Sequence, residues 1–140
     1  MKRKIIIFVL ALFLFLGNKE IVYSIDQYTY ITGILISEGG NINDDLSVMA
    51  CLVRNRLNKD NNIWHISKSF SAKYVTPSKA DVEFVTKILN DSTYNCLPVY
   101  FMYAEWYAKM WSNPNVTPII KIGKHWYYSY DQYQIMWKKH

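Results

Sequence analysis

Apolar residues fall along this chain in three rhythms. The first is an unbroken run of twelve apolar positions, residues 5–16, behind Lys2-Arg3-Lys4 and ended by Gly17. It is short of the about 20 residues a spanning helix needs, and its make-up is that of the apolar part of an export signal. The second rhythm is helical. Residues 27–38 are predicted as a helix, closed by Gly39-Gly40 because glycine tolerates the left-handed backbone that ends helices. Asn43, Asp44 and Asp45 then offer caps for a helix over 46–58. Its apolar positions Leu46, Met49, Ala50, Val53 and Leu57 recur three or four apart, and Val48, Cys51 and Leu52 widen the stripe. A helix apolar on most sides is buried, so this one is expected at the centre. Thr76-Pro77-Ser78 opens another helix, with Ser78 as cap and Val82, Val85, Ile88 and Leu89 facing inward.

The third rhythm is shorter and strand-like. Residues 99–102 follow Pro98, and residues 119–122 and 125–128 flank Gly123-Lys124. Two such runs about a Gly-X pair predict a hairpin with a two-residue loop. A last short helix is expected from Asp131. The fold class is therefore α+β, mainly helical, with a small hairpin or sheet. One domain covers residues 25–140. Residues 1–24 form a signal peptide cut after Ser24, or an uncleaved anchor.

Charge changes this picture only slightly. The formal charge of the whole chain is +5. Residues 1–24 hold four bases (Lys2, Arg3, Lys4, Lys19) and one acid (Glu20), so the mature chain keeps only +2. A nucleic-acid-binding domain would retain a basic stripe, which this one lacks, whereas an anionic polymer such as cell wall suits a modest surplus. Twelve Tyr and five Trp serve cores and sugar-stacking grooves alike. Cys51 and Cys96 allow a disulfide in an exported chain, and Cys51 equally suits a small buried thiol. The histidines, His65, His125 and His140, are scattered, and no spacing typical of metal ligands appears, so neither metal nor cofactor is expected.

Glu38 is the candidate for chemistry. It closes the apolar run of residues 31–38 where a helix ends, among neighbours that exclude water. Desolvation and the negative end of a helix dipole both favour the protonated form of a carboxyl so placed, and a protonated carboxyl can donate to a glycosidic oxygen. Asp44 and Asp45 read as helix caps, Glu83 belongs to an amphipathic helix, and Glu105 opens a surface turn. None offers an obvious second carboxylate.

Five blocks then carry a resemblance: Ile36-Ser37-Glu38; residues 48–56, ending in Arg54-Asn55-Arg56; Phe70-Ser71; Val99-Tyr100-Phe101; and residues 122–127, Ile-Gly-Lys-His-Trp-Tyr. In this order they resemble the SleB-like cell-wall hydrolases, the family of spore-cortex-lytic enzymes and their bacterial and phage relatives. The resemblance spans most of the mature chain. It implies a lysozyme-like, lytic-transglycosylase-type fold acting on peptidoglycan glycan strands, with Glu38 as catalytic acid. It maps Asn55, Arg56, Phe70, Ser71, Tyr100, His125 and Tyr127 to substrate binding, His125 and Tyr127 with Gly123 in a closing Gly-x-His-x-Tyr pattern. The chain departs from the family at Ile42, where many relatives carry an acid, and at Ser69, where Gln is common.

A single acid suffices if the muramic sugar's own hydroxyl attacks the anomeric carbon, so transglycosylation is expected, with muramidase-type hydrolysis as the alternative. The partner implied is the glycan strand, met by a monomer exported to cell wall, periplasm or medium. Nucleic acid is not expected, and membrane only through residues 5–16 if they stay attached. The competing class is a non-catalytic module of the same fold, binding peptidoglycan or tethered to a membrane as an interaction protein.

Overall fold

A computed structural model describes residues 25–39 and 43–136. The expected signal peptide and Ile42 lie outside the described residues. Helix α1 (Gln27–Gly39) begins where Asp26 accepts the backbone N–H groups of Tyr28 and Thr29, each at 2.9 Å. Helix α2 (Asn43–Leu57) is the centre of the fold, as its wide apolar stripe predicted: it packs on α1, on the short α3 (Ile63–Ser67) and on α4 (Lys79–Asn90). The core closes around Ile31 and Leu35 of α1, Met49, Leu52 and Val53 of α2, and Ile88 of α4, all fully buried. Ser78 caps α4 as expected, its hydroxyl accepting the Asp81 N–H at 3.1 Å.

The second half of the chain is a sheet with two short helices. Strand β1 (Phe101–Ala104) leads directly into α5 (Glu105–Trp111), and β2 (Ile120–Ile122) and β3 (His125–Tyr128) precede α6 (Tyr130–Met136). All pairing is antiparallel in the order β1-β3-β2. The β2–β3 hairpin turns at Gly123, whose φ of 54° is the left-handed backbone a tight two-residue loop demands. Among the described residues the architecture is α+β, six helices and one three-stranded sheet.

Two local expectations are corrected. Glu105 opens α5, not a surface turn, and it pairs with Lys109 one helical turn on, at 2.6 Å. Strand β1 starts at Phe101, two residues later than expected, because Asn55 takes the carbonyls of Leu97 and Val99 and ties that stretch to α2. Helix α3, capped by Asn62, is five residues long and too short to show a period. The two cysteines are joined, Cys51 on α2 to Cys96 ahead of β1, with Cα atoms 5.3 Å apart.

Candidate functional site

Glu38 is the penultimate residue of α1 and half-buried. Its Oε1 accepts the Ala72 N–H at 2.9 Å and the Ser71 hydroxyl at 3.2 Å. Oε2 has no hydrogen-bond partner among the described residues. Ser71 and Ala72 can reach the acid because their loop lies directly against α1. A Cβ at Gly33 would stand 2.2 Å from the Val75 carbonyl oxygen and 2.5 Å from the Tyr74 ring. Tyr74 in turn stacks on Tyr30, with ring centroids 5.4 Å apart. The missing side chain at Gly33 lets the loop settle, and the settled loop holds the carboxyl.

The acid opens onto a cavity of about 300 Å³. Arg56, Ser69, Phe70 and Ser71 form one side, and Tyr103, Trp106 and His125 stand on others. A second cavity of about 430 Å³ continues past Arg56, Ser69 and Tyr103 toward Tyr100, Phe101 and His65. The two share Arg56, Ser69, Met102 and Tyr103 and so adjoin as one groove. Trp106 is 66% exposed and offers an indole face at its wall. Such an amphipathic ring suits the face of a sugar.

Opposite Glu38 lies an arrangement that the sequence did not disclose. Alternate residues of a strand share a face, so His125 and Tyr127 of β3 both turn toward the first turn of α2. There they meet Asp45, whose side chain is only 2% exposed. His125 Nδ1 donates to Asp45 Oδ2 at 2.7 Å, and the Tyr127 hydroxyl donates to Asp45 Oδ1. The bond to Asp45 is the main reason the His125 pKa lies above its ordinary value; burial opposes the shift, and the charges of Asp45 and Glu38 add to it. Burial first, and Asp45 second, push the Tyr127 phenol up, so it remains a donor. Nδ1 being committed, Nε2 is the remaining polar atom of a ring that lines the cavity with Glu38.

Arg56 is the penultimate residue of α2, its guanidinium flanked by Phe70, Tyr100 and Phe101, ring centroids 5.3–5.8 Å away. Its Nε donates to the Tyr100 carbonyl at 2.8 Å and its Nη1 to the Ser69 hydroxyl. Burial lowers its pKa from the ordinary value. It stays a cation at neutral pH.

Of the residues expected in the site, Glu38, Arg56, Phe70, Ser71 and His125 converge on the first cavity, and Tyr100 lines the second. Two are placed elsewhere. Tyr127 is fully buried beneath the groove, where its hydroxyl serves Asp45. Asn55 directs its amide to the Leu97 and Val99 carbonyls, at 2.9 and 2.7 Å. Asp45 is the converse case, expected as a cap and found beneath the site. Its signal was the spacing His125-x-Tyr127, two hydrogen-bonding side chains on one strand face that require a buried acceptor. Among the described residues, no group of three or more His, Cys, Asp or Glu side chains could hold a metal ion, and no helix is long and apolar enough to cross a membrane. No family model, curated protein or solved structure matches the chain.

Proposed function

We propose that this protein cleaves the glycan strands of peptidoglycan, on a lysozyme-like domain, with Glu38 as general acid and base. The observation that carries the reading is the setting of Glu38. It is a half-buried carboxyl on the wall of an open groove, fixed through Oε1 by Ser71 and Ala72. The order of the five sequence blocks supports the same reading. The Cys51–Cys96 bridge supports export, since disulfides persist in oxidising compartments.

Glu38 gives its proton to the glycosidic oxygen as the bond from that oxygen to the anomeric carbon breaks. The carboxylate left behind takes a proton from the muramic sugar's own hydroxyl as that oxygen bonds to the anomeric carbon. The acid is regenerated, no water is consumed, and the product ends in an anhydro sugar. Two features favour this route over hydrolysis. Glu38 is the one carboxylate among the described residues lining its cavity, whereas most hydrolytic glycosidases flank the bond with two. Lining the same cavity is an imidazole whose proton affinity Asp45 raises, and in its protonated form it can stabilise the carboxylate formed midway.

The test is digestion of purified peptidoglycan by the wild type and by Glu38→Gln, with product masses read by mass spectrometry. Ends one water lighter than a reducing sugar are expected from the wild type. Glu38→Gln is expected to slow turnover at least roughly 10²-fold, the usual contribution of a general acid. Reducing ends alone would make the enzyme a muramidase. Walls that bind the protein yet stay intact would make it a non-catalytic module.

A further inference from the structure

The two cavities of the groove meet at a cation, Arg56. Arg56 lines both cavities, and no carboxylate of the described residues lies within ion-pair distance of it. The acids nearest in the groove are otherwise engaged. Asp60, on the wall of the second cavity, pairs with His65 at 3.5 Å. Glu38 accepts from Ser71 and Ala72. Lys59 adds positive charge at the far end, its Nζ 3.1 Å from the Tyr130 ring centroid and 5.7 Å from that of Tyr100.

Fastening β1 to α2 explains only part of this guanidinium. Nε and Nη1 hold the Tyr100 carbonyl and the Ser69 hydroxyl, while Nη2 has no hydrogen-bond partner among the described residues. The three rings around it restrict how the planar group can turn. A desolvated charge without a counter-charge is costly, and a ligand that brings the counter-charge recovers the difference. The fork geometry of arginine matches a carboxylate, which two parallel N–H groups can clasp.

We propose that Arg56 is an anion subsite that receives a carboxylate carried by the glycan, where the two cavities of the groove meet. This rests on the reading of the groove as a glycan site and names the group it selects. The carboxylate has two chemical sources: the lactyl ether of a muramic sugar without peptide, or the free carboxyl groups of an attached peptide stem.

The test uses the full chain carrying Glu38→Gln and titrates it calorimetrically with three oligosaccharides of equal length. In one the lactyl carboxylates are free, in one they are converted to methyl amides, and one bears peptide stems. Free carboxylate is expected to bind roughly tenfold or more tightly than amide at low salt, by the usual gain of a charge-assisted pair. That advantage should shrink as ionic strength rises. Arg56→Gln should abolish the carboxylate-to-amide ratio, and Arg56→Lys should restore part of it. Tighter binding of the stem-bearing form alone would assign the anion to the peptide and uphold the subsite. Equal affinity for all three oligosaccharides would overturn it, whatever the Arg56 variants do. Because that comparison changes only the ligand, it does not depend on how those variants fold. Loss of anhydro products in the digestion assay, with the carboxylate preference intact, would instead remove the cleavage reading and leave the subsite standing.

Discussion

Asp45 shows how one residue can carry two sequence signals and be read by the wrong one. In the chain it follows Asn43 and Asp44 at a helix start, where a carboxylate commonly caps free N–H groups. In the fold it is buried, and both its oxygens are occupied from β3, by His125 and Tyr127. Nothing in the local sequence separates the exposed Asp44 from the buried Asp45, because the partners lie 80 and 82 residues away. Glu38 was legible for the opposite reason: its helix end, its apolar neighbours and the glycines after it are all local. The Asp45 contact predicts a measurable shift. In Asp45→Asn, His125 loses the bond and the charge that raise its pKa and keeps the burial that lowers it, so its titration should move down. An NMR titration of the His125 Cε1–H resonance would read this, and an unchanged midpoint would reject the role assigned to Asp45. The sign extends to stability. A raised histidine pKa contributes stability that is complete below the unfolded value of about 6.5 and is lost as pH rises through the folded value. Wild type and variant should therefore differ in stability most on the acid side of that window.

At the scale of elements, the site depends on how closely a loop can approach a helix. Residues 70–75 lie along α1, with Val75 over Gly33 and Ala72 at Glu38. A glycine inside a helix is weakly disfavoured, which in sequence reads only as a soft spot in the pattern. Its purpose appears once the Val75 carbonyl is seen to occupy the place of a Cβ. Gly33→Ala should improve the intrinsic propensity of α1 and still destabilise the fold, because the nearest obstacle, the Val75 carbonyl, is backbone and cannot swing aside. Overpacking of this kind costs about 1–3 kcal/mol. The displaced loop would carry Ser71 and Ala72 away from Glu38, so the proposed glycan cleavage should slow as well. A variant as stable and active as wild type, in a urea melt and a wall-clearing assay, would contradict this. Helix α5 was illegible on other grounds. It buries only Ala108 and exposes Trp106, Tyr107, Met110 and Trp111, so no apolar stripe marks it as a helix. Its start is set instead by the hairpin, through the Glu105 N–H on the Lys124 carbonyl at 2.7 Å.

For the molecule as a whole, the end of α2 fastens the helical half to the sheet. Arg54 donates to the Tyr94 and Ser92 carbonyls at 2.9 and 3.3 Å. Asn55 takes Leu97 and Val99, and Arg56 takes Tyr100. Three successive helical residues thus lay down the segment that becomes β1, the strand that forms a wall of the groove. The Cys51–Cys96 bridge clamps the same segment one turn earlier on α2. The periodicity of α2 and the hairpin of β2 and β3 were readable because each is a repeat within a few residues. The fastening was not, because Arg54-Asn55-Arg56 in isolation reads as a solvated helix end. The bridge was one of two open readings for the same reason, since spacing alone cannot say whether two cysteines meet. Its contribution can now be stated. Closing a loop across a separation of 45 residues removes chain entropy worth about 4 kcal/mol from the unfolded state. Replacing both cysteines by alanine should therefore lower stability by about 2–4 kcal/mol, or on the order of 10 °C in Tm for a domain of this size. Because Arg54, Asn55 and Arg56 remain to hold the segment, the variant should still fold and the groove should persist. Thermal melts of the double variant, and of the wild type with and without reductant, check this. The two proteins should converge once the bridge is reduced. A wild type whose melting temperature ignores reductant would show that α2 and its polar contacts set the geometry of the groove unaided.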